Sequence, residues 1–375
     1  MSLTDCELRR TARHLSLPGF GIHQQEKLHD SHLLVIGAGG LGCPALQSLA
    51  AAGIGTITVI DDDTVDITNI HRQILFGADD VGQLKVEVAA RRLKQLQPGI
   101  NVRAVAQRLT VDNALELLSS ADMVLDGSDS FSTKYLAADA AEITGVPLIW
   151  ATVLQYHGDV AYFRSGPGFR GVGLRDLFPV QPDADSVPDC AEAGVLGATT
   201  ATMGALMATQ AIGLLAGIGG VNSTGGIAPG YLLSYDAFPP RSRVFHIGAD
   251  PQRQLRTRLE PDYGGQACAA PAGLNARVLV EAVRGGDVLA LDIREPHEHL
   301  LADLPAGAHS VKLPLSDIDS RERVRSCFAG FPHGAQVLVY CASGKRSAAF
   351  VEEYTDLATS AGLSLTSLPG GVNAL

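Results

Sequence analysis

The chain has 375 residues, of which 46% are hydrophobic and 18% charged, with a formal net charge of −11. That length favours two domains, and the composition is that of soluble globular protein. The acidic balance excludes a nucleic-acid coat and a general membrane-surface role, since both need a cationic surface.

Six cysteines (Cys6, Cys43, Cys190, Cys268, Cys327 and Cys341) are scattered without a CxxC pair. Neither a disulfide framework nor a zinc site is expected, and a reducing cytoplasm fits. The N-terminus, MSLTDCELRR, carries no signal-peptide apolar region.

In chain order, His32 to Gly37 reads as a buried strand, Leu41 to Ala52 as a helix and Gly55 to Asp61 as a second strand. Gln83 to Gln97 has helical spacing and stops at Pro98-Gly99. A strand over Asn101 to Leu109, a short helix over Asp112 to Ala121 and a strand over Asp122 to Asp126 follow. A helix over Ser132 to Thr144 and a strand over Pro147 to Val153 come next. This alternation predicts an α/β fold with a Rossmann-like, doubly wound, mostly parallel sheet. Beyond Val153 the runs Asp159 to Arg164, Tyr231 to Tyr235 and Arg241 to Ile247 look antiparallel. Ala193 to Tyr235 holds no charged residue, and Val195 to Ile218 is long enough to span a bilayer. Its Thr, Gly and Ala content and its lack of a flanking Lys/Arg cluster favour a buried helix instead.

Ala249 to Gly273 lacks apolar periodicity and reads as a linker between a first domain, 1–248, and a second, 274–375. In the second, helices are expected at Leu274 to Val283, Pro296 to Leu304 and Lys345 to Ala361. Strands are expected at Val288 to Ile293, Gln336 to Tyr340 and Leu363 to Leu368. It is a smaller α/β domain of independent size.

The first strand delivers Gly37-Ala38-Gly39-Gly40-Leu41-Gly42 into a helix, a G-x-G-x-x-G in the context that phosphate binding requires. Asp61 ends the next strand, where a ribose-binding carboxylate belongs. These features alone leave NAD, FAD and ATP open. Arg72 and Lys85 supply cations that can neutralise phosphates, and Asp129 is a carboxylate suited to Mg²⁺. Asn69 and Gln73 are polar neighbours, and Asp126 reads as a strand-end cap.

The string Asp61-Asp62-Asp63-Thr64-Val65, Asn69-Ile70-His71-Arg72-Gln73, Val81-Gly82-Gln83-Leu84-Lys85 and Asp126-Gly127-Ser128-Asp129 resembles a known adenylating domain. That domain is shared by the molybdopterin- and thiamine-pathway sulfur-carrier activators and the ubiquitin-activating E1 enzymes. The resemblance covers residues 1 to 248. It implies Mg·ATP on Gly37, Gly39, Gly40, Gly42, Asp61, Asn69, Arg72, Gln73, Lys85 and Asp129, and adenylation of a carboxylate. It also implies a homodimer in which Arg13 reaches a partner subunit's triphosphate. Cys190, in Pro188-Asp189-Cys190-Ala191-Glu192, resembles the family's crossover-loop cysteine. Many relatives carry two CxxC pairs for a structural zinc, near Arg170 to Gly173 and near Cys268. Both are missing here, so no zinc is expected.

Val337-Leu338-Val339-Tyr340-Cys341 delivers a cysteine into Ala342-Ser343-Gly344-Lys345-Arg346 at a helix start. Backbone N–H groups there would cradle an anion and favour a thiolate, and Arg346 adds a cation. C-x-x-G-x-R-S resembles the rhodanese active loop, with Asp292-Ile293-Arg294-Glu295 resembling its D-x-R-E strand end. A phosphatase loop is C-x5-R, one residue longer. The closing Pro369-Gly370-Gly371-Val372-Asn373-Ala374-Leu375 lacks the tryptophan usual in rhodaneses, which implies a shortened last helix.

Together these resemblances imply adenylation of the C-terminal glycine of a ubiquitin-like sulfur carrier ending in Gly-Gly. Transfer of a Cys341 persulfide, loaded by a donor such as a cysteine desulfurase, would follow, with Cys190 resolving the product. The carrier would feed molybdopterin, thiamine, cysteine or thiolated-tRNA synthesis. Two alternatives stay open. One is an E1 enzyme forming a thioester on Cys190 for protein conjugation, and the other is a nicotinamide-binding redox sensor. No nucleic-acid or membrane partner is expected.

Overall fold

A computed structural model describes residues 3–182, 194–218, 228–264, 272–300, 302–305, 308 and 310–375. The chain forms two compact units, Met1–Gln266 and Ala267–Leu375.

The first unit opens with α1 (Asp5–Arg10) and α2 (Ile22–Asp30), neither legible as periodic apolar segments. Then come β1 (His32–Ile36), α3 (Gly42–Ala52), β2 (Thr56–Ile60), α4 (Lys85–Leu96), β3 (Asn101–Val105) and α5 (Ala114–Ser119). They are followed by β4 (Met123–Asp126), α6 (Phe131–Thr144), β5 (Leu148–Leu154), β6 (His157–Gly166), β7 (Phe169–Val172) and α7 (Leu174–Leu177). The unit ends with α8 (Gly197–Ala216), β8 (Tyr231–Ala237) and β9 (Pro240–His246). The main sheet runs β3-β2-β1-β4-β5-β6-β8-β9, with β7 paired to β6. It is parallel from β3 to β5 and antiparallel beyond.

Strands β1, β2 and β4 are buried along almost their whole length because helices cover both faces of the parallel part. One face packs against α3, α4 and α8 through residues such as Leu46, Leu49, Val88 and Met207. The other packs against α5 and α6 through Leu118, Tyr135 and Ala140. The apolar run long enough to span a membrane is α8, and half of it is buried in this core. At Gly204 a β-carbon would stand 2.4 Å from Leu41 O on α3's leading turn, so only glycine permits that approach.

The linker reading needs correction up to Gly264. Arg253 bonds bidentately to Glu142 at 2.8 and 2.9 Å and to Asp176 at 2.8 and 2.9 Å. Arg175 grips Asp139 at 2.7 and 2.8 Å, and Tyr263 Oη donates to the same carboxylate at 2.8 Å. Arg170 donates to the carbonyls of Asp250 and Arg253. Residues 250–263 therefore pack on the first unit through polar anchors, which hydrophobic periodicity does not register. The network joins the stretch around Arg170 to Gly173 to the stretch leading toward Cys268. Cys268 itself lies outside the described residues.

The second unit is a parallel sheet ordered β11-β10-β12-β13. Its elements are α9 (Ala272–Gly285), β10 (Leu289–Asp292), β11 (Ser310–Lys312), α10 (Arg321–Phe328), β12 (Gln336–Tyr340), α11 (Lys345–Ser360) and β13 (Ser364–Ser367). The expected helix from Pro296 is only a 3-10 turn, Pro296–Leu300, while the edge strand β11 and helix α10 went unread. The closing residues form a 3-10 turn, Val372–Ala374.

Candidate functional site

Strand order reverses direction at β1 and β4, which opens a crevice beyond their carboxyl ends. A solvent-open cleft of about 1060 Å³ lies there. Its floor is the glycine loop. A β-carbon on Gly42 would fall 1.9 Å from Gly37 O, so the loop closes this tightly only with glycine. The loop leads directly into α3, whose N-terminus carries the positive end of the helix dipole.

Asp61, just past β2, braces the loop. Its Oδ2 accepts the Ala38 N–H at 2.7 Å and its Oδ1 the Asp63 N–H at 2.9 Å. Burial pushes its carboxyl above the usual range, against the pull of Lys85 and the two N–H bonds. Each oxygen keeps a lone pair, which suits ribose hydroxyls. If Asp61 binds them, adenosine affinity should fall on acidification through a higher pH than an ordinary aspartate would give. The D61N variant should bind roughly tenfold or more weakly and show a flat pH profile in calorimetric titration.

Lys85 opens α4 with its side chain 5% exposed, and Nζ lies 2.7 Å from Asp63 Oδ2. Burying a cation at a helix N-terminus opposes the dipole, so negative charge must hold it there. Asp63 does so while itself 65% exposed. Arg72 is steered by Asn69, whose Oδ1 accepts its Nη2 at 2.6 Å. Gln73 lines the same cleft, and its buried Oε1 has no hydrogen-bond partner among the described residues. Asp129 is an exposed lining carboxylate on the β4–α6 loop.

Asp126 is the fully buried strut of that loop. Its Oδ1 accepts the Ser128 N–H at 3.0 Å and hydroxyl at 2.6 Å, and Lys134 Nζ approaches its Oδ2 at 3.5 Å. Lys134 also donates to Ala151 O at 2.6 Å beneath the Trp150 ring.

Gly37, Gly39, Gly40, Asp61, Arg72, Gln73, Lys85 and Asp129 thus line one cleft. Gly42 closes the turn beneath it, and Asn69 acts through Arg72. Arg13 is exposed and does not line it. Cys190 lies outside the described residues. Cys43, packed beneath the loop, is pushed by burial to about 12 and serves as core. Sequence reading missed the wall formed by Gln107, Arg108 and Leu109, together with Thr152 and Thr200. The expectation that ligands sit outside the carboxyl ends of parallel strands was the available signal for the β3 and β5 exits.

In the second unit, Cys341 follows β12 and is fully buried. Its Sγ accepts the N–H groups of Gly344 at 3.1 Å and Ser347 at 3.4 Å. The loop is tied from behind, where Val372 N–H and Asn373 N–H each donate, at 3.0 Å, to the carbonyls of Cys341 and Ala342. Arg346 brings its cation beside the loop, and its guanidinium bonds to Glu298 at 2.9 and 2.5 Å, so a carboxylate balances that charge. Burial opposes ionisation of Glu298, but Arg346 and the Glu295 N–H hold its carboxyl below the usual range. Arg294 of the D-x-R-E segment pairs with buried Asp292 at 2.8 Å, a structural role.

A nucleotide cleft at the switch point, followed by a unit presenting a cradled cysteine, defines a two-domain adenylyltransferase and sulfurtransferase. The chain belongs to the ThiF family, whose model matches residues 11–257, and a rhodanese-like domain matches residues 275–375. It is 38% identical over 353 residues to the probable adenylyltransferase/sulfurtransferase MoeZ of Mycobacterium tuberculosis, covering 91% of this chain and 86% of that one. It is 43% identical over 254 residues to a sulfur carrier protein adenylyltransferase of Thermus thermophilus, covering 67% of this chain and 92% of the relative. The crystal structure of E. coli MccB with ATP shares the fold of the first unit, with a TM-score of 0.53 at 20% identity over 68% of this chain and 75% of that one.

Proposed function

We propose that the chain adenylates the C-terminal glycine of a ubiquitin-like sulfur carrier and then converts it to a thiocarboxylate. The carrier carboxylate attacks the α-phosphorus of ATP and pyrophosphate leaves. Lys85 and Arg72 offset the charge of the triphosphate and of the transition state, and Asp61 holds the ribose. The terminal sulfur of a Cys341 persulfide attacks the acyl carbon and AMP leaves. Cys190 thiolate then attacks the Cys341 sulfur of the acyl disulfide. A Cys190–Cys341 disulfide forms and the thiocarboxylate departs, leaving that disulfide for a thiol reductant to reopen.

The observation that carries the first half is the buried Lys85, held by an exposed carboxylate in a cleft floored by a glycine loop. Mg²⁺ fits the same cleft. Asp61 and Asp63 already hold N–H and ammonium partners, whereas Asp129 makes no ion pair among the described residues. One carboxylate with phosphate oxygens is an ordinary Mg²⁺ environment, and the ion would supply charge neutralisation when bound. The homodimer, the persulfide donor, a cytoplasmic location and the Arg13 reach to a partner subunit belong to the same proposal.

The test is carrier-dependent ATP–pyrophosphate exchange, then intact-mass measurement of the carrier after addition of a persulfide donor. A gain equal to oxygen replaced by sulfur is expected. The K85M variant should lose about 100-fold or more of the exchange rate. It should melt close to the wild type, since it strands only an exposed carboxylate. Absence of carrier-dependent exchange in the wild type would overturn the proposal.

A further inference from the structure

We infer that Ser367, at the end of β13, is a positioning residue for the Cys341 sulfur and acts through Ser347. Ser347 is fully buried on the first turn of α11. Its Oγ lies 3.6 Å from Cys341 Sγ, 2.8 Å from Ser367 Oγ and 3.1 Å from Gly344 O. Ser367 Oγ also lies 3.4 Å from Gly344 O.

A hydroxyl carries one proton and can both accept and donate. With Cys341 as a thiol, its S–H donates to Ser347 Oγ, and the Ser347 hydroxyl donates to Gly344 O. Ser367 donates to Ser347 Oγ at 2.8 Å. With the sulfur ionised, Ser347 turns its proton onto Sγ. It keeps accepting from Ser367, which makes its hydroxyl the stronger donor to the charged sulfur. Gly344 O keeps the Ala348 N–H, at 3.0 Å, so no carbonyl is orphaned. The pair therefore follows the charge on sulfur without gaining or losing a proton. Cys341 and Ser347 are fully buried, which strengthens the bonds between them. The Arg346 guanidinium, bonded to Glu298, is less able to supply that charge stabilisation itself.

This inference rests on Cys341 being the sulfur-carrying thiol, and the two can fail separately. The experiment measures the alkylation rate of Cys341 by iodoacetamide across pH in the full chain, read by mass spectrometry of the Cys341 peptide. The S347A variant should move the midpoint of the rate profile upward by about one pH unit, the worth of one hydrogen bond to a charged atom. S367A should move it in the same direction by less, and S367T, which keeps the hydroxyl, should restore the wild-type profile. Superimposed profiles for S367A and the wild type would overturn the inference, as would S367T shifting as far as S367A. If S347A does not fold, the S367A and S367T pair still decides. Separately, thiosulfate treatment should add the mass of one sulfur to the wild-type Cys341 peptide. Failure there would overturn the sulfur-carrier reading while leaving the alkylation result to judge the serines.

Discussion

The C341A variant should retain full carrier-dependent ATP–pyrophosphate exchange while thiocarboxylate formation falls at least roughly 1000-fold. The asymmetry follows from where the residue sits. Cys341 belongs to the second compact unit, and the cleft lined by Lys85, Arg72 and Asp61 is built wholly from the first. Removing the sulfur takes away the nucleophile and the acceptor of the Gly344 and Ser347 N–H groups, without touching the cleft. The same variant separates the competing chemistries. A thioester on Cys190 for protein conjugation would form undiminished in C341A, and intact-mass spectra of enzyme and carrier would show it. A fall in exchange to match the fall in sulfur transfer would contradict the division of labour between the two units.

The second large effect concerns stability. Arg253→Ala should destabilise the first unit by about 3–5 kcal/mol, because it leaves two buried carboxylates facing each other without their cation. Glu142 is 6% exposed and the Asp176 side chain fully buried. At roughly 2–4 °C per kcal/mol for a unit of this size, the melting temperature should drop by about 10 °C. Arg253→Lys should recover only part, since an ammonium cannot fork to two carboxylates. The effect depends on pH. Burial opposes ionisation of Asp176, but Arg253 and the N–H groups of Gly173 and Asp250 outweigh it and hold the carboxyl below the usual range. A depressed carboxyl contributes its stability at neutral pH and loses it as pH falls through the folded value, below the ordinary aspartate range. The gap between wild type and R253A should therefore begin to narrow in mild acid, where the unpaired carboxylates of the variant take up protons, and change again in strong acid, where Asp176 of the wild type does.

Much of this was legible in the sequence, and the reasons differ by region. The parallel half of the first unit announced itself because β1, β2, β4 and most of β5 are buried on both faces, leaving largely apolar runs that only strands or core helices produce. The glycine loop, Asp61, Lys85 and Arg72 converged on one cleft because strand exits at a switch point meet in space even when far apart in sequence. Residues 250–263 were hidden for the opposite reason. They are held by Arg170, Arg253 and Tyr263, and side-chain hydrogen bonding has no periodicity. The pairing of Arg346 with Glu298 was equally invisible, since it joins residues on separate elements 48 positions apart. Likewise, nothing local to Gln107–Leu109 marks it as a cleft wall; only the path of β3 does.

Trp150 is the only tryptophan in the chain, and it lies in β5 of the first unit at 1% exposure. Lys134 Nζ stands 5.4 Å from its ring, and the rings of Phe163 and Phe178 flank it at 6.2 and 6.1 Å. Two residues further along the same strand, Thr152 forms part of the cleft wall. The molecule therefore carries its own optical label. Tryptophan emission reports on the nucleotide-binding unit alone, while the rhodanese-like unit contributes only the weaker signal of its tyrosines. Denaturation followed at the tryptophan band and by far-ultraviolet ellipticity would resolve the melting of one unit from that of the other without cutting or tagging the chain.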